Sequence, residues 1–288
     1  PDYATALQPL GTAAITLGQA LATRPDLVGE KAAHNLLALQ DSLPPAPFPQ
    51  IRASIEQALE APLERLFAEF EEMPVGAASI AQVHRALTTD GRQVAVKVLR
   101  PGIEETFASA LETYEWAAAH LETYAGEEAK RLRPQIVIAH FKQWTRRELD
   151  LNREAASASE LKENMVAEDG FYVPEIDWRR TSRRVLTLEW LDGIKLTKRD
   201  QLIEAGHDPR ALAGILVRAF LRQAVIDGFF HADLHQGNLF ALPDGRLAAI
   251  DFGIMGRIDD KARRWLAEIL YGLITGNYAR VAEIHFEA

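Results

Sequence analysis

HADLHQGN at 231–238 and IDFG at 250–253 are the two strings that decide how this chain is read. Asp233 precedes Asn238 by five positions, and Asp251 follows Asn238 by thirteen. Between the strings lie Leu239-Phe240-Ala241, the turn Pro243-Asp244-Gly245 and the apolar run Leu247–Ile250, which together read as a hairpin. One hairpin therefore delivers two carboxylates and an amide. These are hard oxygen ligands suited to Mg²⁺, with a carboxylate that can accept a proton.

The order and spacing match the H-R-D-x-x-x-x-N loop and the D-F-G turn of protein kinases. Phosphoryl transfer from ATP needs an oriented nucleophile and metal ions that neutralise charge spreading over the phosphates. On this reading Asp233 orients water or a hydroxyl and takes its proton, while Asn238 and Asp251 hold Mg²⁺ beside ATP or ADP. Either string alone is common by chance, and His231 and His235 could be no more than hydrogen-bonded loop residues. The H-x-D-x-H run could also hold zinc, but no further clustered ligand accompanies it and the chain has no cysteine.

A nucleotide site of this kind needs a lysine on a strand for the α/β-phosphates, and VAVK supplies Lys97. A lysine ending an apolar strand is more often a solvated edge residue; its position, after a small-residue turn and ahead of the catalytic loop, is what counts. Its acidic partner is expected on the helical stretch RRELDLNREAASASEL, where Glu154 is the choice over Glu148 and Asp150. Helical spacing puts Asp150 and Glu154 on one face with Glu148 rotated from it. Three acids on a helix otherwise mean a wet surface. PVGAASIAQVH, 74–84, occupies the place of a glycine-rich loop, with Ala77, Ala78 and Ser79 expected over the phosphates. Alanine's Cβ disfavours the positive φ that glycine permits, so this loop should be stiffer. LEWLDG, 188–193, fits a hinge whose Glu189 and Leu191 backbone meets the adenine edge, or else a buried strand ending in a turn.

The remaining pattern supports an α+β, bilobal, protein-kinase-like fold with a small β-containing N-lobe, a helical C-lobe and an N-terminal helical extension. The extension (1–50) carries Leu17, Leu21, Leu27, Leu36, Leu37 and Leu39 at helical spacings and ends at Pro44, Pro45, Pro47 and Pro49. The N-lobe with a helical insertion is expected over 51–192. It holds a helix at about 50–60, strands in FAEFEEMPV (67–75), IAQVHRAL (80–87) and RQVAVKVL (92–99), helices over 104–124 and 134–165, and strands in 172–176 and 183–191. The C-lobe is expected over 193–288. After Gly253 helix resumes by about Asp259, with no long activation segment and no A-P-E, so a platform for a peptide substrate is missing.

The 288 residues, 48% hydrophobic and 25% charged, suffice for a substantial core. A net charge of −9 argues against a nucleic-acid partner. No signal peptide and no apolar run of about 18 residues is visible. The chain opens at Pro1 without methionine and stops at Ala288 within a helical pattern, which reads as a segment of a longer chain.

GAASIAQVH, VAVK, the ELD six residues ahead of Glu154, HADLHQGN and IDFG, in this order, closely resemble the UbiB family of atypical kinases, over essentially the whole chain. The resemblance implies a kinase-like ATPase supporting ubiquinone biosynthesis, with ATP or ADP and Mg²⁺ as cofactors, and held away from ordinary protein phosphorylation. It implies work on the cytoplasmic side of a bacterial inner membrane, on polyprenyl-phenol quinone precursors and among other ubiquinone-pathway proteins. A transmembrane hairpin, common in bacterial members, would lie beyond Ala288. The family's K-x-G-Q motif, on an extension that covers the active site, is here TLGQ: Gln19 matches and Thr16 stands for the lysine. Gln19, Thr16, Glu148 and Asp150 would meet there, with threonine offering a short neutral hydroxyl toward the acids. Basic clusters at Lys130-Arg131-Arg133, Arg146-Arg147 and Arg179-Arg180-Arg183-Arg184 could meet anionic headgroups or be solvated charge. Two rival readings remain: a small-molecule kinase of the aminoglycoside or choline type, and a non-catalytic nucleotide-gated scaffold.

Overall fold

The computed structural model describes residues 2–22, 25–39, 44–124, 126 and 133–287. They form two compact units, one from residues 1–152 with 177–187 and the other from 153–176 with 188–288. Residues 153–176, which fall within the expected 51–192 lobe, thus pack with the second unit.

In the first unit the extension is a string of short helices: α1 (Tyr3–Leu7), α2 (Thr12–Ala22), α3 (Pro25–Val28) and α4 (Glu30–Leu36). Ala4, Leu36 and Leu39 form its small apolar core, whereas Leu37 is exposed. After the prolines comes α5 (Phe48–Leu59), whose Ile51 and Ile55 are fully buried one turn apart, then α6 (Leu63–Leu66).

The sheet runs β1-β3-β4-β6, with β2 also on β3: β1 (Phe67–Phe70), β2 (Gly76–Ala77), β3 (Ala81–Thr88), β4 (Gln93–Leu99) and β6 (Val185–Glu189). Strand alternation in β4 turns Val94, Val96 and Val98 inward onto Ile51, Ile55, Leu63 and Phe67, and Lys97 to the opposite face. The strand expected across 67–75 is interrupted. Pairing stops after Glu71, whose N–H bonds Arg85, and resumes at Val75 on Val83, with Pro74, which has no N–H to donate, lying in the gap.

A long hairpin follows, α7 (Ile103–Tyr124) and α8 (Pro134–Glu148); α9 (Leu151–Asn164) then leads into the second unit. The single helix expected over 134–165 is broken at Leu149-Asp150. The Asp150 carboxylate caps the Asn152 N–H at 3.2 Å, and Leu151 N–H bonds the Arg183 carbonyl at 2.9 Å.

The second unit holds a four-stranded sheet, β5-β10-β9-β7, of β5 (Phe171–Tyr172), β7 (Ile194–Lys195), β9 (Leu239–Ala241) and β10 (Leu247–Ala249). β9 and β10 are the expected hairpin between the motifs. A separate antiparallel pair joins β8 (Phe229–His231) to β11 (Met255–Arg257). The helices are α10 (Arg199–Glu204), α11 (Pro209–Leu221) with a π-helical turn over Arg222–Asp227, α12 (Asp260–Thr275) and α13 (Tyr278–Glu287). Among the described residues, no helix is long and apolar enough to cross a membrane.

Candidate active site

The second unit brings the two motif strings together. β8 ends at His231 and β10 ends just before Ile250, so each motif string continues directly from a strand, one from each of the two sheets of this unit. Backbone bonds tie them: Ile250 N–H to the Asn238 carbonyl at 3.1 Å and Ala232 N–H to the Ile254 carbonyl at 3.0 Å.

His231 is the hub. Its ring is 2% exposed; Nδ1 accepts the Asp233 N–H at 3.1 Å, so the ring proton sits on Nε2, which donates to the Asp251 carbonyl. Burial pushes its pKa down, against the raising pull of the Asp251 contact, so the neutral imidazole is favoured. One side chain therefore fixes the backbone under both carboxylates. Asn238 Nδ2 donates to Asp233 Oδ2 and to the Asp233 carbonyl, each at 3.5 Å, which turns the other branch of its amide, the oxygen, away from Asp233. Asp251 Oδ1 accepts the Gly253 N–H at 3.1 Å. His235 folds onto its own loop, accepting the Gly237 N–H at 3.0 Å, with Nε2 3.7 Å from Asp233 Oδ2.

The donor set fits Mg²⁺: hard oxygens from an amide and a carboxylate, with a second carboxylate adjacent. Among the described residues no three or more His, Cys, Asp or Glu cluster to hold an ion unaided.

Glu154 belongs to the same unit. It is 6% exposed, on the buried stripe of α9 with Ala155, Ala158 and Leu161, and its Oε1 accepts the Phe252 N–H at 3.4 Å. Asp150 does not share its helix face as expected, because the break at Leu149-Asp150 puts Asp150 in the junction and Glu148 on the last turn of α8. At the expected hinge, Glu189 N–H is committed to the Glu175 carbonyl at 2.8 Å, so its own carbonyl is the group suited to an adenine edge; Leu191 follows in the irregular link between β6 and β7. The Glu189 carboxylate accepts from Tyr172 Oη at 2.6 Å and from Glu175 N–H at 3.1 Å, and burial with this carboxylate pushes the Tyr172 phenol up to about 12.

The other candidate residues lie in the first unit. Lys97 lies on β4, on the face away from the valine core. Ala77 ends β2; Ala78 N–H closes a tight turn onto the Ala81 carbonyl at 2.8 Å, Ser79 is buried, and Arg100 Nε holds the Ala78 carbonyl at 2.9 Å. Gly76, Ala77, Ala78 and Ser79 all avoid positive φ, as a loop of alanines requires. In α2, Thr16 is 2% exposed and its hydroxyl donates to the Thr12 carbonyl at 2.8 Å. The hydroxyl is thus used inside its own helix. Gly18 is packed against Leu7, Leu36 and Leu39, and Gln19 follows on the same helix.

Sequence reasoning gave no role to Gln82, His84 or Gln223. Gln82 accepts the Ala46 N–H at 2.9 Å and donates to His84 Nε2 at 2.8 Å, and His84 Nδ1 bonds the Glu71 carbonyl at 2.8 Å, a satisfied chain inside the first unit. Arg180, grouped with possible headgroup ligands, is instead buried against Asp177 at 2.7 Å, and Arg184 lies 3.5 Å from Glu104, while Arg179 and Arg183 are exposed. Lys130 and Arg131 lie outside the described residues, while Arg146 and Arg147 are exposed. Gln223 holds the His231 amide, signalled only by one amide side chain within the apolar run AFLRQAVIDGFF.

The comparisons agree with this geometry. The ABC1 atypical kinase-like domain matches residues 38–285. A protein of Marinobacter nauticus named probable protein kinase UbiB is 42% identical over 287 residues, covering 98% of this chain and 52% of the relative. One from Xylella fastidiosa with the same name is 40% identical over 289 residues, again 98% and 52%. The chain thus spans about half the length of the curated relatives it matches. A solved structure of Rv3197 from Mycobacterium tuberculosis, a complex with erythromycin, is 27% identical with a TM-score of 0.68, covering 93% of this chain and 66% of that one. With motifs, α+β kinase-like fold and relatives in accord, the chain belongs to the UbiB family of ABC1 atypical kinase-like domains.

Proposed function

We propose that this chain is the nucleotide-binding core of a UbiB protein that uses Mg-ATP, by hydrolysis or phosphoryl transfer, in support of ubiquinone biosynthesis at the cytoplasmic face of a bacterial inner membrane. The observation that carries the reading is that, within one unit, His231 bonds the backbone of both Asp233 and Asp251 while Asn238 bonds the Asp233 carboxylate. Asp233 orients water or a hydroxyl and takes its proton. Asn238 and Asp251 hold Mg²⁺, which when bound neutralises charge on the phosphates. Lys97 serves the α/β-phosphates with Glu154 as its acidic partner, Ala77, Ala78 and Ser79 lie over the phosphates, and the Glu189 carbonyl and Leu191 amide take the adenine edge. The extension around Thr16 and Gln19, with Glu148 and Asp150, restricts access by large substrates. Polyprenyl-phenol precursors, anionic lipid and other pathway proteins are the partners this role requires.

The test is phosphate release from Mg-ATP, with and without anionic vesicles and a phenolic quinone-head analogue, in the wild type and in Asp233→Asn and Asp251→Asn. Loss of release in both variants, with Mg-ADP binding kept by the first and weakened in the second, fits the proposal. Release untouched by either substitution refutes it. Stoichiometric transfer to a soluble aminoglycoside or choline-type alcohol would favour a small-molecule kinase instead.

A further inference from the structure

The π-helical turn ahead of the catalytic loop holds a buried amide that the phosphoryl-transfer reading does not use. Leu212, Ala219 and Gln223 form one buried stripe along α11 and into this turn. Gly228 N–H then bonds the Gln223 carbonyl five residues back, closing a turn wider than an α-helical one. Gly228 itself is left-handed at φ +66, and a Cβ there would sit 2.8 Å from the Ile258 carbonyl oxygen, so the reversal is fixed at that residue. β8 starts at the next position and runs back past the turn. His231, its last residue, thereby meets the Gln223 side chain: Oε1 accepts the His231 N–H at 3.0 Å.

Gln223 is 0% exposed, and its Nε2 is buried with no hydrogen-bond partner among the described residues. A half-satisfied buried amide is poorer packing than leucine or methionine would be. What the glutamine supplies in exchange is the bond to the residue that carries Asp233 on one ring nitrogen and Asp251 on the other.

We propose that Gln223 is a positioning residue: through the His231 amide it sets the height of the catalytic loop, and so the placement of Asp233 against Asp251. This rests on the phosphoryl-transfer reading for its consequence in turnover, but not for the bond itself. The nearly isosteric Gln223→Met removes the acceptor; Gln223→Glu keeps an oxygen in the same place. Each is compared with wild type in the full chain by kcat and KM for Mg-ATP hydrolysis, Mg-ADP affinity, and amide hydrogen exchange at His231. A displacement of the loop by a fraction of an ångström to an ångström lowers kcat about tenfold or more. Expected for Gln223→Met is that drop with KM and Mg-ADP affinity within about twofold, and faster exchange at His231. Gln223→Glu restores most of kcat and the protection.

Unchanged kcat and unchanged His231 exchange in Gln223→Met overturn the proposal, as does a rise in KM alone. Failure of Gln223→Glu to restore either quantity also overturns it. If Gln223→Met does not fold, Gln223→Asn, one methylene short of the same amide, takes its place. If the wild type releases no phosphate, the functional reading falls, and exchange at His231 alone decides the positioning role.

Discussion

His231 Nε2 donates to the Asp251 carbonyl, so the imidazole of the first motif string holds the backbone of the second. The same ring accepts the Asp233 N–H. The spacing between the strings is thus a structural requirement as well as a chemical one. A side chain with neither nitrogen removes the link between the Asp233 amide and the Asp251 carbonyl and leaves the loops joined by the flanking backbone bonds at Asn238 and Ile254. We expect His231→Leu to lower phosphate release from Mg-ATP by about a hundredfold, the scale of an ångström-sized misplacement, while Mg-ADP affinity changes little. Phosphate release and calorimetric titration on the same preparation check this. A variant that loses binding but keeps its turnover number would contradict it.

Gly256 marks the second way the motif loops are joined. It faces Phe230 across the β8–β11 pair, and a Cβ there would lie 2.3 Å from Phe230 Cζ and within 2.8 Å of both Cε atoms. An aromatic ring cannot fold away as the end of a leucine can. Gly256→Ala should therefore destabilise the second unit by about 1–3 kcal/mol, as overpacking does, and reduce turnover with it. Urea denaturation reads the first and phosphate release the second; Phe230→Leu in the same chain should restore part of both.

Much of this site was legible because its residues are close in sequence. Asp233, Asn238 and Asp251 lie on one hairpin, and a hairpin's length fixes what its loops can reach. Lys97 was legible from its place at the end of VAVK, which lies in β4. The break at Leu149-Asp150 was hidden because both flanks are helix-forming, and the bond that helps set it comes from Arg183, 32 residues from Leu151. Arg180 resembles a surface cation until folding sets Asp177, Asp90 and Thr89 around it. Thr16 and Gln223 carry no local mark of their bonding, because a buried hydroxyl and a buried amide look the same in sequence as exposed ones.

Acid should weaken the fold through its buried imidazoles. Burial pushes the pKa of His84 below the ordinary histidine value, and His231 shifts in the same direction for the same cause. The unfolded chain then binds protons that the folded chain refuses, so stability is complete above the unfolded value near 6.5 and falls as pH drops through the window below it. Each such group contributes a slope of at most about 1.4 kcal/mol per pH unit. His84→Gln, compared with wild type by urea unfolding at several pH values from 7.5 to 5, should reduce the slope without abolishing it, since His231 remains. A profile as steep as wild type would show that His84 is not one of the responsible groups.

The ion pairs under β6 make the last case. Asp177, its side chain 3% exposed, accepts from Arg180 at 2.7 Å and Arg92 at 2.8 Å, while Arg180 also reaches the Leu66 carbonyl, Thr89 and Asp90. Removing the shared acid leaves the Arg180 guanidinium, almost without solvent, with the half-exposed Asp90 as a counter-charge that it shares with Arg92. Asp177→Ala should cost about 3–5 kcal/mol, the range for stripping one partner from a buried pair. Arg92→Ala should cost less, because its side chain is 49% exposed and water replaces what it loses. Arg180→Met falls between them: it removes the buried cation together with its bonds and leaves Asp177 with Arg92. Denaturation midpoints for the three variants, ranked Asp177→Ala lowest and Arg92→Ala highest, check the assignment. The reverse ranking would mean that the exposed arm of the network holds this part of the first unit together.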